Sequence, residues 1–356
     1  MTDRSAGLAD RGALARAVWR EHRALLAIVG AYTVGSALAW SALGWPVPRL
    51  TFIGYASTFV LPLFFAVLYL FEMRRRAERA GAVGWRAGWS TAWRDARRGA
   101  WRNERLVGAA IVLGLYPFLA TTFTTWKQSI ALLNPFTWDA PLIAADRLLL
   151  GGHDAWRLTH ALLGAGWTTR LLDAMYLPSW ALLQFIVWPL AAIAEPGAFR
   201  RRFLLSYVLT WIFGGVLAVV FASVGPCFLG VVAGTAADAA PFAPLMQKLA
   251  RLNESFSLAT SMGQQFLLDA ARTSGRAGGG ISAFPSLHVA TATLLWLAGR
   301  HLSRAVRWGT ALYAIVILVG SVHLGWHYLV DGLAGAALTA AIWWAMGLAV
   351  RDRATT

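Results

Sequence analysis

The chain has 356 residues, of which 58% are apolar, and its mean hydropathy is +0.54. Several apolar runs approach the roughly 20 residues that a helix needs to cross a bilayer, so this composition excludes an ordinary soluble protein and predicts an all-α, polytopic membrane helix bundle. The formal net charge of +15 does not indicate nucleic-acid binding, because the basic residues concentrate in a few segments between apolar runs.

About eight transmembrane helices are predicted. Residues 1–24 form a basic tail, and residues 25–105 hold two spans and a basic amphipathic loop. Residues 106–356 hold the other six spans and form the membrane domain that carries the candidate site. The predicted spans cover residues 25–45, 50–71, 106–125, 172–194, 203–224, 285–299, 308–324 and 328–350.

The basic loop, residues 74–105, carries a large share of the positive charge. Between residues 74 and 105 there are ten arginines and three acids, and Trp85, Trp89 and Trp93 follow one another at four-residue spacing. Such spacing places the indoles on one helix face. Aromatic residues with arginines beside them are typical of a helix that lies in the lipid headgroup layer. The loop therefore indicates a membrane surface and no nucleic acid.

The distribution of basic residues also predicts the topology. With the amino terminus inside, 23 of the 32 Lys and Arg residues fall on the inner side. We therefore expect a bacterial-type inner or plasma membrane protein with both termini cytoplasmic. Segments 126–171 and 226–283 then lie on the outer, periplasmic side, the first as short interfacial or re-entrant helices and the second as a loop with one or two surface helices.

This topology places Lys127, His288 and His327 on the same, outer side of the membrane. His327 and Asp331 are four residues apart, so on a helix they share one face, where a carboxylate can hold an imidazole in one tautomer. Ionisable residues at membrane depth are costly and by default indicate a functional site. The sequence therefore predicts a single polar site at the outer edge of the bundle.

These residues form a pattern with three parts. The pattern consists of Lys127, Asn134-Pro135, Pro285-Ser286-Leu287-His288, and His327 with Asp331. It resembles the type 2 phosphatidic acid phosphatase superfamily of membrane lipid phosphatases and phosphotransferases. The chain departs from that family's motifs where Asn134 replaces an Arg, where Leu287 replaces a Gly, and where an Arg is missing near Gly320-Ser321. The departures resemble the inositol phosphorylceramide synthase-like branch, in which Pro-Ser-Leu-His and His-Tyr-x-x-Asp both occur.

The resemblance implies a metal-independent and cofactor-independent enzyme with a phosphohistidine intermediate. His327 would attack phosphorus, Asp331 would orient its ring, and His288 would act as general acid and then general base. Lys127 and Ser286 would hold phosphate oxygens. The enzyme would act on a phospholipid or another lipid phosphate, as a headgroup phosphotransferase with a polyol or lipid alcohol acceptor, or as a lipid phosphate phosphatase.

Other polar residues have two interpretations. Asn134, Asp139, Asp146 and His323 are candidate substrate-binding residues. Asp139 and Asp146 are equally suited to capping interfacial helices, and His323 to packing. Lys127 could simply extend to the membrane interface, and Asp331 could cap a helix.

Without the two motif arginines, the phosphate site has less fixed positive charge, which favours a phosphodiester as the donor. Other arginines could supply the missing charge: Arg147, Arg157 and Arg170. The alternative function is a transporter with a histidine proton relay, which predicts ionisable residues in the middle of the spans. A non-catalytic scaffold is a third alternative.

Overall fold

The computed structural model describes residues 2–45, 49–57, 104–272 and 279–350. Within these ranges every regular element is helical, apart from one isolated β-bridge between Leu229 and Ala233. This confirms the all-α prediction. The helices are α1 (Thr2–Ala42), α2 (Arg49–Ser57), α3 (Glu104–Gln128), α4 (Ile130–Leu133), α5 (Asp139–Leu149), α6 (Ala155–Leu163), α7 (Trp167–Tyr176), α8 (Pro178–Ile193), α9 (Ala198–Val220), α10 (Ala236–Ala239), α11 (Ala243–Phe256), α12 (Ala259–Arg272), α13 (Leu287–Gly299), α14 (Arg304–His323) and α15 (Leu329–Ala349).

Six stretches of the described residues are long and apolar enough to cross a membrane. They are Gly12–Ala42, Val107–Gln128, Trp167–Ile193, Ala198–Val220, Arg304–His323 and Leu329–Ala349. The chain is therefore an integral membrane protein.

The predicted number of eight spans is not confirmed. Helix α13 matches the predicted span at 285–299, but its 13 residues extend only about 20 Å, less than the roughly 30 Å of a bilayer core. Most of the predicted span at 50–71, like most of the basic loop at 74–105, lies outside the described residues.

The chain divides into two compact units. The first contains the described residues among 1–47, 52–120 and 185–201, and the second contains those among 48–51, 121–184 and 202–356. The division into residues 1–24, 25–105 and 106–356 is a division by sequence pattern and stays a prediction.

In the first unit, the predicted basic tail is helical and continuous with the first span, since α1 begins at Thr2. A buried ion-pair network joins α1 to the start of α9. The Glu21 carboxylate accepts hydrogen bonds from Arg200 at 3.1 Å and from Arg201 at 2.8 Å. Because each buried charge has an opposite partner, the network offsets the cost of placing these groups out of water.

In the second unit, α13, α14 and α15 pack together and carry the candidate motifs at their ends. The segment at 226–283, predicted to be a loop with one or two surface helices, contains α11 and α12 as well as shorter turns in its described part. Leu245 and Leu249 lie one helical turn apart on α11 and are buried in the same core as Leu258, which precedes α12. The segment therefore forms part of the fold that surrounds the site.

Candidate active site

A cavity of about 90 Å³ lies within the second unit, well above the roughly 10–15 Å³ that one water molecule requires. Lys127, from the last turn of α3, His288, from the first turn of α13, and His327, from the segment before α15, all line it. The predicted convergence of these three residues is therefore observed. The other lining residues are largely apolar: Phe123, Trp180, Trp211, Gly215, Ala218, Val224, Phe228, Leu267, Ser282, Pro285, Leu287 and Trp326.

His327 and Asp331 meet as the four-residue spacing predicted, although they do not share one helix. His327 precedes the helix, which begins at Leu329, and Asp331 lies in its first turn. Asp331 is fully buried, and its Oδ2 lies 3.4 Å from His327 Nδ1 and accepts a 2.9 Å hydrogen bond from the Tyr328 N–H. The two interpretations of Asp331, helix cap and partner of an imidazole, are thus both present. Its contact with Nδ1 leaves Nε2 as the nitrogen of His327 that can react.

The His288 ring is enclosed by aromatic side chains. Its centroid lies 4.5 Å from that of Tyr176 and 4.1 Å from that of Trp180, while the His327 ring is 6.1 Å away. The buried Nε2 atom of His288 has no hydrogen-bond partner among the residues that the structure describes. The two histidines therefore stand in different environments: His327 is paired with a carboxylate, and His288 lies between two rings.

Two predicted phosphate-binding residues differ in position. Lys127 lines the cavity, and Gly280 packs on its backbone with a φ of +95°. A Cβ on Gly280 would lie 2.9 Å from the Lys127 carbonyl carbon, so glycine is required there. Ser286 is fully buried, caps α13 by accepting from the Val289 N–H at 3.5 Å, and is not among the residues that line the cavity. Its phosphate-binding role stays a prediction.

Asn134 binds backbone groups at the end of α9, and Asp139 binds backbone groups of the segment that follows it. The Asn134 amide donates to the carbonyls of Val219 and Val220 at 2.8 and 3.0 Å. Asp139 accepts hydrogen bonds of 2.9 Å from the N–H groups of Val224 and Gly225 and one of 2.8 Å from the Tyr328 hydroxyl. Burial raises the pKa of Asp139, an effect that these hydrogen bonds oppose. Both side chains are engaged in structural contacts and neither lines the 90 Å³ cavity.

Asp146 caps α15, although the two are far apart in the sequence. Its carboxylate accepts hydrogen bonds of 2.9 and 2.8 Å from the first N–H groups of α15, those of Leu329 and Val330. Burial raises the pKa of Asp146 to about 6. Together with His327 it lines a separate cavity of about 10 Å³, which is at the lower limit for one water molecule. Asp146 therefore caps a helix, but that helix is the apolar span α15 and not an interfacial helix. Headgroup binding by Asp146 stays a prediction.

His323 ends α14 and contacts His160 and Thr169. Its ring stacks on that of His160 with centroids 3.8 Å apart, and its Nε2 lies 2.9 Å from Thr169 Oγ1. His160 Nε2 contacts the His323 carbonyl at 2.9 Å, and burial lowers the pKa of His160. His323 does not line the 90 Å³ cavity. Its contacts with His160 and Thr169 agree with the packing interpretation.

The three arginines proposed as replacements point elsewhere. Arg147 and Arg157 pair with Asp154 through N···O distances of 2.7 and 3.3 Å, and Arg170 lies 5.0 Å from the Trp167 ring centroid. No arginine lines the 90 Å³ cavity in the described part of the chain. Among the described residues, Lys127 is therefore the only lysine or arginine that lines the cavity.

Sequence reasoning missed the aromatic residues around His288. Tyr176 and Trp180 are four residues apart, a spacing that could have indicated one helical face. Trp180 Nε1 donates a 2.8 Å hydrogen bond to Thr291, which lies on the same helix as His288. Within the described ranges, no group of three or more His, Cys, Asp or Glu side chains is arranged to hold a metal ion.

The arrangement has the parts that phosphoryl transfer requires: an imidazole nitrogen, a second histidine within reach of the same space, and a cation. The PAP2 superfamily model matches residues 140–345, more than half of the chain, and this range includes His288, His327 and Asp331. Comparison with curated proteins and with solved structures gives no match. The chain therefore belongs to the PAP2 superfamily, whose members are generally phosphatases and phosphotransferases.

Proposed function

We propose that this protein cleaves a lipid-linked phosphoester through a phosphohistidine on His327 and passes the phosphoryl group to a hydroxyl acceptor, either an alcohol or water. The observation that supports this most is the cavity that Lys127, His288 and His327 line together, with the buried Asp331 carboxylate behind His327. A proton relay in a transporter does not require a carboxylate that fixes only one of two histidine rings. Here Asp331 contacts His327, whereas His288 Nε2 has no hydrogen-bond partner among the described residues. The contrast between the two histidines favours catalysis.

In the first step, the lone pair on His327 Nε2 attacks phosphorus and the bond from phosphorus to the leaving oxygen breaks. The protonated His288 ring gives its proton to that oxygen, so the donor leaves as a neutral alcohol. His327 becomes cationic as the P–N bond forms, and the Asp331 carboxylate, 3.4 Å from Nδ1, stabilises this charge. Lys127 offsets the negative charge on the non-bridging phosphate oxygens.

In the second step, the neutral His288 ring accepts the proton of the incoming hydroxyl group while its oxygen attacks phosphorus. The P–N bond breaks and returns the lone pair to His327 Nε2. Water as acceptor makes the enzyme a phosphatase, and a polyol or lipid alcohol makes it a transferase. The two reactions share every step except the identity of this hydroxyl.

The charge of the cavity favours a phosphodiester donor and the inositol phosphorylceramide synthase kind of headgroup transfer. A phosphodiester carries one negative charge, whereas a monoester carries up to two near neutral pH. Lys127 lines the cavity, but Arg147 and Arg157 are paired with Asp154 and lie outside it. Apolar walls such as Phe123, Trp211 and Leu267 suit a lipid donor. A single fixed positive charge is matched best by a singly charged phosphate.

The proposed location is the outer face of the membrane, with both termini in the cytoplasm. This proposal rests on the excess of Lys and Arg in the segments assigned to the inner side. A phospholipid in the outer leaflet would then reach the cavity from within the bilayer, and its acceptor would arrive from the bilayer or from the periplasm.

The test is an assay of purified protein on lipid phosphomonoesters and phosphodiesters, with and without polyol or ceramide-type acceptors. The comparison is with His327→Ala and with His153→Ala, a control that removes an exposed histidine outside the site. We expect turnover and an acid-labile phosphoprotein in the wild type and the control, and neither in His327→Ala. Turnover that survives in His327→Ala, or a wild type that converts no lipid phosphate, would contradict the proposal. Acceptor-dependent product identifies a transferase, and free phosphate from monoesters alone refutes the preference for diesters.

A further inference from the structure

The setting of His288 is unusual for a histidine that must give up a proton. Tyr176 stacks on one side of its ring with an interplanar angle of 25°, and Trp180 lies against it with an angle of 42°. Tyr176 is fully buried. Trp180 is held in place by its 2.8 Å hydrogen bond to Thr291, three residues beyond His288 on α13. Both aromatic rings are thus fixed against the imidazole by the fold.

Burial of His288 lowers the pKa of its ring and so disfavours the protonated form, and neighbouring positive charges add to this effect. The charged groups near it are Lys127 on α3 and His327 before α15, both of which are cationic when protonated. The nearby carboxylate, Asp331, is engaged by His327 and by the Tyr328 N–H. Among the described residues, no acidic side chain bonds to His288 Nε2. The general acid therefore needs another source of stabilisation for its positive charge.

We propose that Tyr176 and Trp180 are positioning residues that hold His288 in the protonated, acid-competent form through their ring faces. This inference rests on the proposed function, in which His288 protonates the leaving oxygen. The face of an aromatic ring is electronegative and attracts a cation, most strongly for Trp and when the contact is desolvated. Two such faces enclose the imidazolium without forming an ion pair, so the proton stays available for transfer.

This proposal makes a prediction that depends on the leaving group. An alkyl alcohol leaves as a strongly basic alkoxide and needs the proton, whereas an acidic phenol leaves readily without it. Trp180→Leu should therefore slow the reaction of an alkyl phosphoester by roughly three- to thirtyfold, the range of cation–π contacts from exposed to desolvated. The corresponding nitrophenyl ester should react at close to the wild-type rate.

The assay compares Trp180→Leu and Tyr176→Leu with the conservative variants Trp180→Phe and Tyr176→Phe. Trp167→Leu, which removes a largely exposed tryptophan, is the matched control. We expect the Leu variants to lose the alkyl reaction selectively and to move the basic limb of the pH–rate profile down by about 0.4 to 1.5 pH units. The Phe variants should restore most of the loss. An equal loss on both esters with an unchanged pH profile would show a purely structural role and overturn the inference.

A second measurement does not depend on turnover. The ring signals of His288, assigned with His288→Gln, are followed by NMR through a pH titration of the wild type and of Trp180→Leu. We expect the titration midpoint to fall in the variant by a similar 0.4 to 1.5 pH units. Equal midpoints, or a wild-type ring that remains neutral at pH 5, would overturn the inference. If the wild type converts no lipid phosphate, the proposed function fails, while this titration still decides whether the aromatic pair stabilises the imidazolium.

Discussion

Replacing Asp331 by Asn should separate catalysis from folding. The carboxylate is fully buried and lies 3.4 Å from His327 Nδ1. At an effective dielectric constant of about 20, a unit charge pair at this distance is worth about 5 kcal/mol. Only the part that grows as His327 becomes cationic lowers the barrier, so we expect kcat to fall by roughly two to four orders of magnitude.

The same substitution should leave the fold nearly as stable as before. Asn can still accept the hydrogen bond from the Tyr328 N–H, and it removes the cost of burying a charged carboxylate whose Oδ1 has no hydrogen-bond partner among the described residues. We expect the free energy of unfolding in detergent to change by no more than about 1 kcal/mol.

Asp173→Asn is the matched control. Asp173 is also buried and accepts hydrogen bonds of 2.8 Å from the N–H groups of Ala259 and Thr260 at the start of α12, outside the cavity. It should lose stability by about 1 kcal/mol and keep its kcat within about tenfold. The assay is steady-state turnover per folded molecule beside thermal unfolding of both variants. If Asp331→Asn retained more than a tenth of the wild-type kcat, or if its activity fell only in proportion to its folded fraction, the assigned role of Asp331 would be wrong.

Two further predictions concern stability. Burial raises the pKa of Asp146 from 3.8 to about 6, so the folded protein binds this proton more tightly than the unfolded chain, and the contribution of Asp146 to stability is lost as the pH rises from about 4 through about 6. Asp146→Asn should remove this part of the pH dependence of the unfolding temperature, and an unchanged pH profile would refute the assignment. A Cβ at Gly335 would overlap the Ser286 carbonyl oxygen, whereas one at Gly309 would meet nothing within 4 Å. Gly335→Ala should therefore lower the unfolding temperature by several degrees and Gly309→Ala should not, so equal effects would contradict this packing.

The membrane helices and the two short motifs could be predicted best, because both are recognised from residues that are close together in the sequence. Hydropathy marks which segments can cross a bilayer, and an even or odd number of spans decides which loops share a side. That reasoning placed Lys127, His288 and His327 together, and the 90 Å³ cavity they line agrees with it. Span number was predicted less well, since α13 is apolar throughout but has only 13 residues.

Partners that lie far apart in the sequence could not be predicted. Hydropathy does not say which atom of another segment a polar side chain will meet. Asp139 meets Val224 and Gly225, 85 and 86 residues further on, and Arg147 meets Asp154 instead of the cavity. The aromatic enclosure of His288 was missed for the same reason, since its rings come from α7 and α8, more than 100 positions before α13.

The hydrogen bond between Asp139 and Tyr328 joins residues that are 189 positions apart, and Asp146 reaches almost as far to cap α15. During synthesis, both carboxylates enter the membrane region long before the backbone groups that they bind have left the ribosome. Until α15 is in place, Asp146 lacks both of its N–H donors, and Asp139 lacks the Tyr328 hydroxyl but can already bind the N–H groups of Val224 and Gly225. Docking of α15 and burial of the Asp146 carboxylate are therefore coupled, because this carboxylate receives its two N–H donors only when α15 packs against α5.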